Sequence, residues 1–154
     1  MLIMAIPAAS TFFHRTYDEA LGLLTEARNY VAAGDLRDTG QMAANLRMAQ
    51  CCEAMRLTAR LTHVMAWLLA QRAVHAGEIT LEEAASEPYS LGGHRICLEE
   101  SEYLPELEDP WLLTLLDRSL RLYIRVARLD MMVQDRASQM HPSAARSPGA
   151  EHGE

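Results

Sequence analysis

The sequence predicts an all-α protein, a three-helix bundle with a long central helix. Three observations carry this. Long stretches run without Pro or Gly and are dominated by Ala, Leu, Met, Arg and Gln, which are good helix formers. Within them, apolar residues recur at spacings of three and four, the period of a helix with one buried face. The ends of these stretches carry start and stop signals in the right places, such as Asp109-Pro110 at a start and Gly34 and Gly77 at stops. A short extra helix and an acidic loop fall between the second and third long helices, and a disordered tail closes the chain. The bundle domain spans 10–137 and the tail 138–154.

The first long helix is expected from about Phe12 to Ala33, capped by Ser10 or Thr11. Phe13, Tyr17, Ala20, Leu24, Ala27 and Val31 form its inward stripe. Gly34 ends it, and GDLRDTG makes a turn short enough to set the next helix antiparallel beside it. That second helix runs from Gln41 to Ala76, roughly 35 residues and about 50 Å long. Leu46, Leu57, Leu61, Val64 and Leu68 share one face with Met65 and Leu69 beside it, and Met55, Ala59, Thr62, Ala66 and Ala73 form a strip of mostly small side chains on the far side. A helix apolar on two separated faces calls for a neighbour on each. Next, Thr80 with Glu83 makes a capping box for a short helix ended by Pro88. YSLGGHRICLEESEYLPELE then reads as an irregular acidic loop, long enough to be functional or mobile. Asp109 caps the third long helix with Pro110 at its first position. Leu112, Leu116, Tyr123 and Ala127 face inward there, and Arg118, Arg121, Arg125 and Arg128 line the other side. From Ser138 onward the chain is polar, contains Pro and Gly and has no apolar period, the composition of a disordered tail.

Composition narrows the function. A chain of 154 residues that is 49% apolar has enough for one core. No apolar run reaches membrane-spanning length, and MLIMAIPAAS lacks the basic start of a signal peptide. Three cysteines, two of them adjacent (Cys51, Cys52), do not make a disulfide framework and point to a reducing, cytoplasmic setting. All fourteen basic residues are Arg, and the net charge of −7 speaks against nucleic-acid binding. Residues 77–109 hold ten acids against the single Arg95.

No constellation supports catalysis. Leu91-Gly92-Gly93-His94 is too short for a phosphate loop, and the glutamates of 99–108 form a charge run more than an acid/base pair. His94-x-x-Cys97 has a metal-like spacing but lacks a second ligand pair, so no metal and no cofactor is expected. Cys51 and Cys52 read as core or boundary thiols. The Arg stripe of the third helix is either a binding face for an acidic partner or a solvated face neutralised by the acidic loop next to it, Glu99 to Asp109. On the second helix, Glu53, Arg56, Arg60, His63 and Trp67 form a polar line with two open readings. It is an exposed recognition stripe anchored by Trp67, or an internal ion-pair network with Trp67 stacked under Arg60. Asp130 falls on the core face of the third helix, where a lone carboxylate needs a cation, and Arg56 is the residue expected level with it. Finally, the second apolar strip, with the arc Leu115, Leu122, Ile124, Val126 and Leu129, exceeds what three helices can cover. A homodimer is expected.

Three segments together resemble one family: YDEALGLLTEARNY, EAMRLTARLTHVMAWLLAQRAVHAGEIT and SLRLYIRVARLD. They are similar to the alphaproteobacterial RcdA family, regulators of CtrA degradation also catalogued as a domain of unknown function. The resemblance covers about residues 12–134. It implies a cytoplasmic, homodimeric three-helix bundle without enzymatic activity, sometimes at the cell pole. It also implies a role as an adaptor for the ClpXP protease, joining a protease primed by a single-domain response regulator and bringing in cell-cycle transcription factors. A cyclic-di-GMP-binding partner can add a layer of delivery, and the C-terminal tail contributes. The alternative is a non-catalytic helical dimer serving other clients.

Overall fold

A computed structural model describes residues 7–33, 43–99, 101–102 and 104–140. Among these the protein is all-helical. Helix α1 spans Pro7–Ala32, α2 Ala44–Ala76, α3 Leu81–Ala84, α4 His94–Leu98 and α5 Pro110–Met140, with one 3-10 turn at Leu104–Glu106. The long helices α1, α2 and α5 each pack on the other two, α2 against α5 most extensively, while α3 and α4 lie against both α2 and α5. The expected GDLRDTG turn and most of the tail lie outside the described residues.

The termini of the elements follow local chemistry. α1 starts at Pro7, earlier than the expected Phe12, with Pro at the first helical position where its missing N–H costs nothing. Gly77 closes α2 at φ 74°, a left-handed conformation suited to glycine, and its N–H reaches back to Val74. The capping box before α3 is present: Thr80 Oγ1 accepts from Glu83 N and Glu83 Oε2 accepts from Thr80 N. Asp109 Oδ1 accepts from the N–H groups of Trp111 and Leu112, capping α5 as expected. α5 continues through Ser138 to Met140, three residues past the expected start of the tail.

The core differs from expectation in three places. On α1 the buried residues are Thr16, Ala20, Leu23, Ala27 and Tyr30, whereas Leu24 and Val31 are exposed. Tyr30 wins the inward position because its hydroxyl donates to Asp109 Oδ2 at 2.7 Å and accepts from Gln50 Nε2 at 2.9 Å, so a large ring is buried with its polar end satisfied. The segment expected as an irregular loop contains α4, which buries Leu91 and Cys97 in the core. Cys51 and Cys52, expected at the core or its boundary, are exposed.

Candidate functional site

The polar line of α2 lies inside the molecule. Arg60 is 4% exposed and Glu53 only 1%, because α4 and α5 close over this side of the helix. Arg60 Nε donates to Cys97 O at 2.8 Å, and its Nη1 donates to Leu116 O at 3.1 Å and Ser119 Oγ at 3.4 Å. One turn earlier, Arg56 Nη1 donates to Ile96 O at 2.7 Å and Glu99 O at 3.1 Å, while its Nε meets Glu53 Oε2 at 3.2 Å. Two guanidinium groups therefore satisfy the carbonyls that the short α4 leaves open at its C-terminal end. Burial, then the neighbouring Arg56 charge, lowers the Arg60 pKa from its ordinary value. Glu53 Oε1 is left without a hydrogen-bond partner. Of the two sequence readings, the buried network describes Glu53, Arg56 and Arg60, and burial removes Arg60 and Trp67 from any exposed recognition stripe.

Trp67 is not stacked under Arg60. Its indole N–H donates to Asp130 Oδ1 at 2.7 Å, and Asp130 Oδ2 accepts from Gln134 Nε2 at 2.6 Å. The expected Asp130–Arg56 ion pair is absent. Asp130 is buried as anticipated, at 2% exposure, but it lies level with Trp67, about three turns further along α2 than Arg56. A neutral indole from α2 and a glutamine amide one turn along α5 meet the carboxylate without a second buried charge.

Three of the four arginines of the α5 stripe are paired, none of them with a described acid of the loop. Arg118 makes a two-pronged pair with Glu26 of α1 at 2.7 and 3.0 Å, Arg125 pairs with Glu19 of α1, and Arg121 pairs with Asp117 one turn away. The hydrogen bond that Arg118 donates to Glu26 is the main cause of its raised pKa. Arg128 is exposed. Of the loop acids, Glu99 approaches Arg56 at 4.0 Å, not the stripe.

His63 is half-buried on the backbone of Gly92 and Gly93. Gly93 sits at φ 78°, and a Cβ there would collide with the imidazole, so both backbone angle and space demand glycine. Tyr123 OH donates to Gly92 O at 2.6 Å, tying the same loop to α5. Burial raises the Tyr123 and Cys97 pKa values. His94 is exposed, edge-on to Tyr123 at 5.9 Å, and Cys97 is buried, so the pair does not converge. Among the described residues, no three His, Cys, Asp or Glu side chains are placed to hold a metal. Sequence reasoning missed the Tyr30–Gln50–Asp109 cluster and the role of the Cys97 and Ser119 positions as acceptors for Arg60. Only the Asp109 cap gave a signal.

The opposite side of α2 is open. Met48, Cys52, Met55, Ala59, Thr62, Ala66, Leu69 and Ala73 alternate by four and three, the seam of a coiled coil. Met48 is 66% exposed, Met55 72% and Leu69 50%. Cys52, Thr62 and Ala66 are exposed too, with Ala59 and Ala73 half-buried. In contrast, Leu115, Leu122 and Val126 of the α5 arc are covered within the chain.

Residues 5–151 match the family described as Protein of unknown function (DUF1465), and the chain belongs to that family. Among solved structures, it is similar to RcdA from Caulobacter crescentus CB15, with 36% sequence identity, a TM-score of 0.60, and coverage of 79% of this chain and 89% of that one. No curated protein matches the chain. No helix among the described residues is long and apolar enough to cross a membrane.

Proposed function

We propose that this chain is a non-catalytic adaptor in regulated proteolysis, acting in the cytoplasm as a homodimer that helps deliver cell-cycle transcription factors to ClpXP. The observation that carries the reading is the similarity to RcdA over most of both chains. The buried polar groups described above serve to hold the helices together. The bundle of residues 10–137 is the docking body, and the polar segment that follows it is a contact element for the protease or its cargo. On the surface, Arg121 and Arg128 remain the accessible cations of the α5 stripe, beside the half-buried pairs of Arg118 and Arg125.

The open seam of α2 supports the homodimer. Met48, Met55 and Leu69 expose apolar side chains along one line, separated by small residues that let a second helix approach closely. Crosslinking in the native host followed by affinity capture tests the adaptor reading. Recovery of ClpX, a priming single-domain response regulator or an unstable transcription factor is the expected result. Capture of the second copy of this chain alone would leave the alternative, a helical dimer serving other clients.

A further inference from the structure

A groove of about 330 Å³ lies where α2 meets the loop after α3, lined by His63, Ala66, Trp67 and residues 87–92. Trp67 forms its floor, held in place by the hydrogen bond to Asp130. One wall is the Gly92 backbone, fixed by Tyr123 and by the close approach of His63, and the other is Glu87, Pro88 and Tyr89. The groove is thus built from buried, hydrogen-bonded supports and is formed before anything enters it.

Three properties define its occupant. Tyr89 is 42% exposed and lines the groove. Glu87, two residues away, is exposed and has no cationic partner among the described residues, whereas the α1 acids facing α5 are paired with arginines. The surrounding segment 77–109 carries ten acids against Arg95, so its field attracts cations and repels acidic chains. An exposed phenol ring near an unpaired carboxylate suits a guanidinium or ammonium group that stacks on the ring and pairs with the acid while its aliphatic stem lies along the exposed Pro88 and Ala66. We propose that this groove anchors an arginine or lysine side chain of a partner protein segment, with Glu87 and Tyr89 as the recognising residues. The site stands independently of which protease or cargo the adaptor serves.

Amide NMR of the full chain, titrated with the peptide Ac-Gly-Ala-Arg-Ala-Gly-NH2 and with its citrulline and norleucine counterparts, tests this. The expected result is saturable shifts at Ala66, Leu91, Gly92 and the Trp67 indole N–H with the arginine peptide. Binding should weaken about three- to tenfold with citrulline, and by a similar factor in Glu87→Gln, since an exposed ion pair and a cation–π contact are each modest. Glu87 is exposed and unpaired, so that variant keeps the fold, and Tyr89→Ala should weaken the arginine peptide further. No shift at these positions at millimolar peptide overturns the proposal. Equal binding of the norleucine or citrulline peptide also overturns it, by assigning the groove to apolar segments. Either failure would leave the capture experiment on the adaptor role untouched.

Discussion

The two sides of α2 invert the usual order of a surface helix. The side carrying Glu53, Arg60 and Trp67 is covered, and the side carrying Met48, Met55 and Leu69 is open. The covered side tolerates its charges because the two arginines and the indole each meet an oxygen: carbonyls of α4 and α5 for the arginines, Asp130 for the indole. Those bonds give the short elements between α2 and α5 a fixed seat, which an apolar surface of the same size would define less sharply. The open side carries no charge, and the Thr62 hydroxyl on it is turned back to Thr58 O. The difference teaches that the polar line of this helix serves internal attachment, while Met48, Met55 and Leu69 leave an apolar strip uncovered by the described residues.

Arg60→Ala should break the covered side most severely. It leaves the buried Cys97 O and Leu116 O without their donor and removes one of the two cations near the buried Glu53, and losing one member of a buried charged network costs about 3–5 kcal/mol. Urea unfolding measures it, and a loss under about 1 kcal/mol would mean that Arg60 is effectively solvated. Asp130→Ala comes next. It leaves the Trp67 N–H unpaired for a loss of about 1.5–3 kcal/mol, the range for hydrogen bonds to charged groups. In a double-mutant cycle, Asp130 and Arg56 should show no coupling beyond about 0.3–0.5 kcal/mol, since they share no partner.

The open side should respond in the opposite sense. Met55→Glu with Leu69→Glu places two charges at exposed positions, so the unfolding free energy of the bundle should stay within about 0.5 kcal/mol per substitution. Sedimentation equilibrium should nevertheless shift from about twice the chain mass to the chain mass, because a desolvated like-charge seam cannot close. Retention of the dimer would move its interface elsewhere.

The contrast also explains what was legible beforehand. Helical content, the capping box at Thr80 and the Asp109 cap follow from local chemistry, and the structure carries them. The buried face Leu57, Leu61, Val64 and Leu68 follows from period alone. What did not follow is how the polar groups pair. Asp130 was correctly placed in the core, but its partner depends on the axial offset between α2 and α5, which periodicity does not encode. The choice of Tyr30 over Val31 on α1 required knowing that Asp109 and Gln50 arrive at the same point. Likewise α4 has only five residues, and its stability comes from Arg56 and Arg60 some forty positions earlier. Seen locally, HRICL gives no reason to be helical.

The smallest expected effect is a pH dependence confined to the covered side. Cys97 and Tyr123 are fully buried, and burial raises both pKa values because the anion would lose its water. Each group is therefore neutral in the fold at pH values where the unfolded chain has begun to ionise. In that interval the unfolded state holds fewer protons, so stability falls as pH rises. The contribution is fully present below the ordinary thiol value of 9.0 and is lost as pH climbs from there toward the raised folded values. The urea midpoint should thus be flat near neutrality and decline above about pH 9. Cys97→Ser should flatten the first part of the decline, since serine does not ionise there. Met55→Glu with Leu69→Glu should keep the slope unchanged, because the seam touches neither group. A slope unaltered by Cys97→Ser would show that the thiol reaches solvent and that α4 is not seated on α2 as firmly as its arginine contacts require.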